Sequence, residues 1–137
     1  MTALPLTIGP ETYTITRFGT LLYAAASGDW NPIHWSDRQA RNLGLPGVIT
    51  HGLYTMGIAL RAVTDWLGGD ASRVVSYKLR FARPVLLPDD DDGVDLRVIG
   101  KVVAQGETTW TVRLEVACAG QPVLSRVSVE VKAPDQD

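Results

Sequence analysis

The chain has 137 residues, 45% of them hydrophobic and 20% charged, with a formal net charge of −2. That suits a single domain over residues 1–137, burying about two thirds of its unfolded surface, and gives no electrostatic case for nucleic acid or an anionic membrane. The single cysteine, Cys118, excludes an internal disulfide and a multi-cysteine metal site; no apolar run approaches the about 18 residues of a membrane span, and Met1-Thr2-Ala3-Leu4-Pro5-Leu6 lacks a signal core, so a cytoplasmic location is expected.

Residues 1–10 read as a lead-in containing Pro and Gly, followed by a short strand at Thr12–Thr16. Thr16 is a suitable N-cap for a helix from about Arg17 to Ala26, which Gly28 ends. The turn Asp29-Trp30-Asn31-Pro32-Ile33-His34 comes next. A short helix or turn follows from Ser36 to Leu43, stopped by Gly44, and Pro46-Gly47 marks a loop. The longest helical signal runs from Gly52 to Leu67, with Leu53, Met56, Leu60, Val63 and Leu67 at three- and four-residue steps. Ile58, Ala59, Ala62 and Trp66 add apolar surface elsewhere, and a helix apolar nearly all round is usually buried.

Beyond Gly68-Gly69-Asp70 the period changes to two. Val75, Tyr77, Leu79 and Phe81 alternate with polar residues, as do Val94, Leu96 and Val98. Ile99-Gly100 breaks that phase as a bulge would. Trp110 to Cys118 and Val127 to Val131 repeat the alternation, with tight turns at Gly106 and Ala119-Gly120-Gln121. One buried helix and several one-faced antiparallel strands are best satisfied by a sheet wrapped around that helix, an α+β arrangement. Asp89-Asp90-Asp91-Asp92 reads as a solvated loop, because calcium loops space their ligands.

Only two histidines are present, and both fall near the Asn-Pro turn: His34 within it and His51 at the start of the long helix. A carboxylate and an imidazole held by a stiff turn suit shared proton transfer. A helix that opens with glycine offers bare N–H groups to a developing oxyanion. The plainer readings are that Asp29 caps the turn, that His34 is a satisfied half-buried side chain, and that His51 fixes the helix start. Cys118 reads as core. Two histidines without a cysteine cluster make a metal centre a poor fit, and no Ser-centred elbow is present.

Ala26-Ser27-Gly28-Asp29-Trp30-Asn31-Pro32-Ile33-His34 resembles the signature of the MaoC-like (R)-specific enoyl-thioester hydratase and 3-hydroxyacyl-thioester dehydratase family, in which Ser-Gly-Asp-x-Asn-Pro precedes an aliphatic residue and His. Thr50-His51-Gly52-Leu53 and Arg80-Phe81-Ala82-Arg83-Pro84-Val85 are similar to later family segments, in the same order. The resemblance covers about Thr12 to Val131 and implies the hotdog fold, an antiparallel sheet around one central helix. It implies an acyl thioester substrate, on CoA or acyl carrier protein, and no cofactor or metal. It also implies a homodimer, or a heterodimer with another hotdog subunit. Asp29 and His34 would be the catalytic pair, in acid and base roles that sequence does not assign. Gly52 would supply the oxyanion-hole N–H, and Asn31 would brace the turn or contact the reacting groups. His51 and Thr55 would support the site or the substrate. Some relatives carry a hydroxyl about two helical turns after the glycine; Leu60 stands in that neighbourhood here, leaving Thr55 or Tyr54 to take its place. The alternatives are a non-catalytic partner subunit that shapes an acyl tunnel, and a hotdog thioesterase.

Overall fold

The computed structural model describes residues 3–135; the expectation for Met1 and Thr2 lies outside them. The elements are β1 (Thr7–Ile15), α1 (Arg17–Ser27), a 3-10 turn (Pro32–His34), α2 (Asp37–Asn42), α3 (Gly52–Trp66) and a second 3-10 turn (Ala71–Arg73). Four strands follow: β2 (Val74–Phe81), β3 (Val94–Gln105), β4 (Thr109–Cys118) and β5 (Gln121–Lys132). They form one antiparallel sheet in the order β1-β3-β4-β5-β2. The α+β hotdog architecture is thus as expected, with α3 packed against β1 and β3.

Local signals hold at the helix ends. The Thr16 hydroxyl accepts from the Gly19 N–H at 2.9 Å, and Gly28 closes α1 at φ 76°, a left-handed conformation that favours glycine. The Asp89–Asp92 run lies in the β2–β3 connection, where Asp90 accepts from the N–H groups of Asp92 and Gly93.

Four expectations need correction. β1 begins at Thr7, so the last part of the lead-in is strand; a register shift between Ile8 and Glu11, around Gly9-Pro10, hid its period. β3 does not bulge at Ile99-Gly100. Gly100 keeps the inward phase of Leu96 and Val98, because a Cβ there would lie 2.6 Å from a Leu114 methyl and 3.2 Å from Ile8. The slot is already full. β5 starts at Gln121, and a register shift near Ser125, with Arg126 at φ 52°, masked its first half.

The fourth correction concerns α3. Its buried stripe is Thr55, Ala59, Ala62 and Val63, small residues that let the sheet approach closely. Leu53 is 57% exposed, while Met56 and Leu60 are only partly covered. The helix lies toward β1 and β3, so the β2 end of the sheet is left uncovered: Val75, Tyr77 and Phe81 are each about half exposed.

Candidate active site

The expected site residues converge where the turn after α1 meets the start of α3. Asn31 caps the 3-10 turn, its Oδ1 accepting from the Ile33 N–H at 3.3 Å. It braces the turn and does not line the cleft beside it. That turn carries His34 inward until only 8% of it is exposed.

Asp29 does two jobs. Its Oδ1 accepts from the Asn31 N–H at 3.2 Å, the plain turn-capping role. Its Oδ2 faces both histidines, 3.9 Å from Nε2 of His34 and 4.0 Å from Nε2 of His51. Its side chain is about half exposed.

Main-chain carbonyls assign the ring nitrogens, since a carbonyl can only accept. Nδ1 of His34 donates to the Ile49 carbonyl at 2.7 Å, which leaves Nε2 as the free lone pair facing Asp29. Nε2 of His51 donates to the Asp29 carbonyl at 2.9 Å, and its buried Nδ1 has no partner among the described residues. The two rings stack with centroids 3.8 Å apart, and Tyr23 packs on the far part of the group, 4.8 Å from His51. Burial holds the His34 imidazole below its ordinary pKa and His51 pushes the same way, against the Ile49 bond and Asp29.

A cleft of about 270 Å³ opens beside His34, lined by Gly52, Thr55, Phe81 and Arg83 with apolar walls that include Val123 and Leu124. Gly52 is the first residue of α3, and His51 places no side-chain cap over that end. Its N–H therefore has no helical partner, and Gly52 itself lines the cleft. The Phe81 ring lies over Gly52, 2.9 Å from where a Cβ would stand. One turn further on, the Thr55 hydroxyl is buried without a partner among the described residues. Leu60 packs on the core and does not line the cleft. Tyr54 is stacked on Tyr23 at 4.9 Å.

Asp29, His34 and His51 each offer a ligand atom within 4.8 Å of the others, the arrangement that the histidine count had argued against. Zinc would require nitrogens at about 2.0–2.1 Å from one centre, and Nε2 of His51 is already committed to a carbonyl. The arrangement fits proton handling better.

Sequence reasoning missed the Ile49 carbonyl, Phe81 as the cover of Gly52, and the ion pair of Arg17 with Asp37 behind the turn. The Arg80–Val85 segment was the available signal for the second of these.

Comparison with known proteins shows the family and the fold. A family model described as "MaoC like domain" matches residues 7–120. A protein named 3-hydroxyacyl-thioester dehydratase X, from Mycobacterium tuberculosis, is 38% identical over 103 residues, covering 75% of this chain and 32% of that protein. This chain thus spans about a third of that relative's length. A solved MaoC-like dehydratase superposes with a TM-score of 0.89 at 27% identity, over 97% of this chain and 41% of that one. An unliganded R-hydratase from Pseudomonas aeruginosa gives 0.77 at 28% identity, over 92% and 79% of the two chains.

Proposed function

This chain belongs to the MaoC-like domain family, and from that premise we propose that it hydrates trans-2-enoyl thioesters, or runs the reverse dehydration of (3R)-hydroxyacyl thioesters. The observation that carries the reading is the pairing of a free Nε2 on His34 with Asp29 Oδ2 at 3.9 Å, beside a cleft that Gly52, the first residue of α3, helps to line.

A separation of 3.9 Å is too long for a direct hydrogen bond and suits a water shared by both groups. Asp29 orients that water. As its oxygen adds to Cβ, one proton passes to Nε2 of His34 and the C=C electrons move toward the thioester oxygen. The Gly52 N–H stabilises the charge that builds there, an interaction strongest in the transition state. The His34 imidazolium then returns the proton to Cα, so one water is added across the double bond with nothing left over. The Thr55 hydroxyl, without a partner among the described residues, supports the bound thioester. Arg83 at the cleft rim, its guanidinium on the Pro122 carbonyl at 3.2 Å, lies where the anionic carrier would enter.

The uncovered face and edge of β2 are proposed to pair with a second copy, since an apolar strand edge left open invites association. Leu60 favours a second reading, a partner subunit without turnover, because that position sends no hydroxyl to the cleft. Crotonyl-CoA with the purified chain separates these readings. Loss of enoyl absorbance without thiol release supports hydration; thiol release identifies a thioesterase; neither signal, with this and longer enoyl thioesters, supports the partner reading. A chelator should leave hydration unchanged.

A further inference from the structure

Behind the histidines lies a short two-stranded ribbon outside the main sheet. Thr50 N–H donates to the Val85 carbonyl at 3.0 Å, and Leu87 N–H donates to the Val48 carbonyl at 2.9 Å, with Ile49 opposite Leu86. The Ile49 carbonyl on this ribbon is the one that takes the Nδ1 proton of His34, and the Ile49 N–H returns to the Ile33 carbonyl at 3.1 Å. The orientation of the imidazole therefore depends on where the ribbon sits.

Both strands of the ribbon are held from behind by one ion pair. Arg17, the first residue of α1, makes a two-pronged contact with Asp37, the first residue of α2, at 2.9 and 3.0 Å. The same guanidinium reaches the Leu87 carbonyl at 2.8 Å and the Pro88 carbonyl at 3.0 Å. Asp37 Oδ1 in turn accepts from the Val48 N–H at 3.0 Å. Arginine suits this place because its planar fork meets a carboxylate and two carbonyls at once, which a lysine ammonium cannot do in the same geometry. The pair is less than a quarter exposed, so water competes weakly for it.

We propose that Arg17 and Asp37 are positioning residues: they clamp the Val48–Thr50 and Val85–Leu87 ribbon so that its Ile49 carbonyl fixes the Nδ1–H form of His34 and keeps Nε2 aimed at Asp29. The effect on turnover rests on the proposed role of His34, whereas the effect on the ring does not. The clamp acts as the partners behind metal-bound histidines do, by orienting a ring through its other nitrogen. A shift of about 1 Å in such a support costs about a hundredfold in rate.

The test is nitrogen-15 imidazole NMR of the full chain, with crotonyl-CoA hydration measured in parallel. The wild type should show His34 protonated on Nδ1 only. Asp37→Ala should give mixed or exchanging tautomers at His34, with kcat about ten- to a hundredfold lower and KM little changed. Asp37→Asn keeps an acceptor for Val48 N–H, should fold even where the alanine variant does not, and should fall between the two. A wild-type His34 protonated on Nε2 overturns the proposal. So does a folded Asp37→Ala or Asp37→Asn with a lowered melt but the wild-type tautomer. A wild type without hydration activity, in which Asp37→Asn still loosens the tautomer, supports the clamp and rejects the enzymatic reading separately.

Discussion

The imidazole of His34 lies stacked on that of His51, with centroids 3.8 Å apart and planes 25° from parallel. Two rings this close do not both accept a proton readily, and burial of His34 adds to the penalty. His34 is therefore neutral in the folded protein at pH values where a free histidine begins to charge.

That relationship sets an expected pH dependence. A free histidine titrates near about 6.5. The folded pKa of His34 is lowered, so below that point the unfolded chain binds the proton first. Stability is fully retained above about pH 6.5 and is lost as the pH falls toward the folded value. The acid limb of kcat/KM should likewise fall below the ordinary histidine range. His51→Asn should move that limb upward by removing a neighbour that helps to lower the His34 pKa. A limb at or above the free-histidine value would contradict the assignment of His34 as base.

Asp29→Asn and His34→Gln should each reduce kcat about 100-fold or more, the usual size of a positioned proton-transfer contribution. Gln is preferred to Ala at His34 because the ring is buried and its removal would leave a hole. Thermal melts of Asp29→Asn should match wild type, since its side chain is about half exposed. A residual kcat above about a tenth of wild type would remove that residue from the mechanism.

Gly52→Val should lower kcat more than it raises KM, because the oxyanion contact tightens in the transition state. The Phe81 ring contributes a second effect, since the new side chain must push it aside. Gly52→Val with Phe81→Leu removes that clash. Activity recovered in the double variant would show that the glycine serves packing; activity still absent with a wild-type melt supports the oxyanion role.

Thr55→Val should raise the melting temperature slightly while lowering turnover. The hydroxyl is buried without a partner among the described residues, and replacing an unsatisfied polar group by an apolar one of the same shape is neutral or stabilising. Turnover unchanged in a stabilised Thr55→Val would mean that the substrate does not use it.

Val75→Lys and Tyr77→Glu should each convert a dimer to monomer in sedimentation, because both residues lie on the half-exposed apolar face of β2. A wild type that is monomeric and fully active at low concentration would reject pairing through this strand.

What could be read from the sequence depended on how locally each feature is encoded. The Thr16 cap, the Gly28 stop and the alternation from Trp110 to Cys118 are decided within a few residues, and each is found as expected. Gly100 misled because its small size answers to Leu114 and Ile8, distant in sequence and adjacent in space. The buried face of α3 misled for a related reason. The largest aliphatic residues suggested the core, yet the sheet lies close enough to require Ala59 and Ala62. Asp29, His34 and Gly52 stood out as letters in a motif. The carbonyl of Ile49 did not, because a main-chain atom has no letter of its own and its partner is set by the fold.

The cleft draws its parts from two separate stretches of chain. His34, Gly52 and Thr55 all precede β2, whereas Phe81, Arg83, Val123 and Leu124 come from β2, the segment after it and β5. Under the proposed function, reaction type and acyl fit are thus written in different halves of the polypeptide. A substitution at Val123 or Leu124 reshapes the chamber while every proton-handling atom stays where it was, so descendants of this scaffold can change diet without relearning their chemistry.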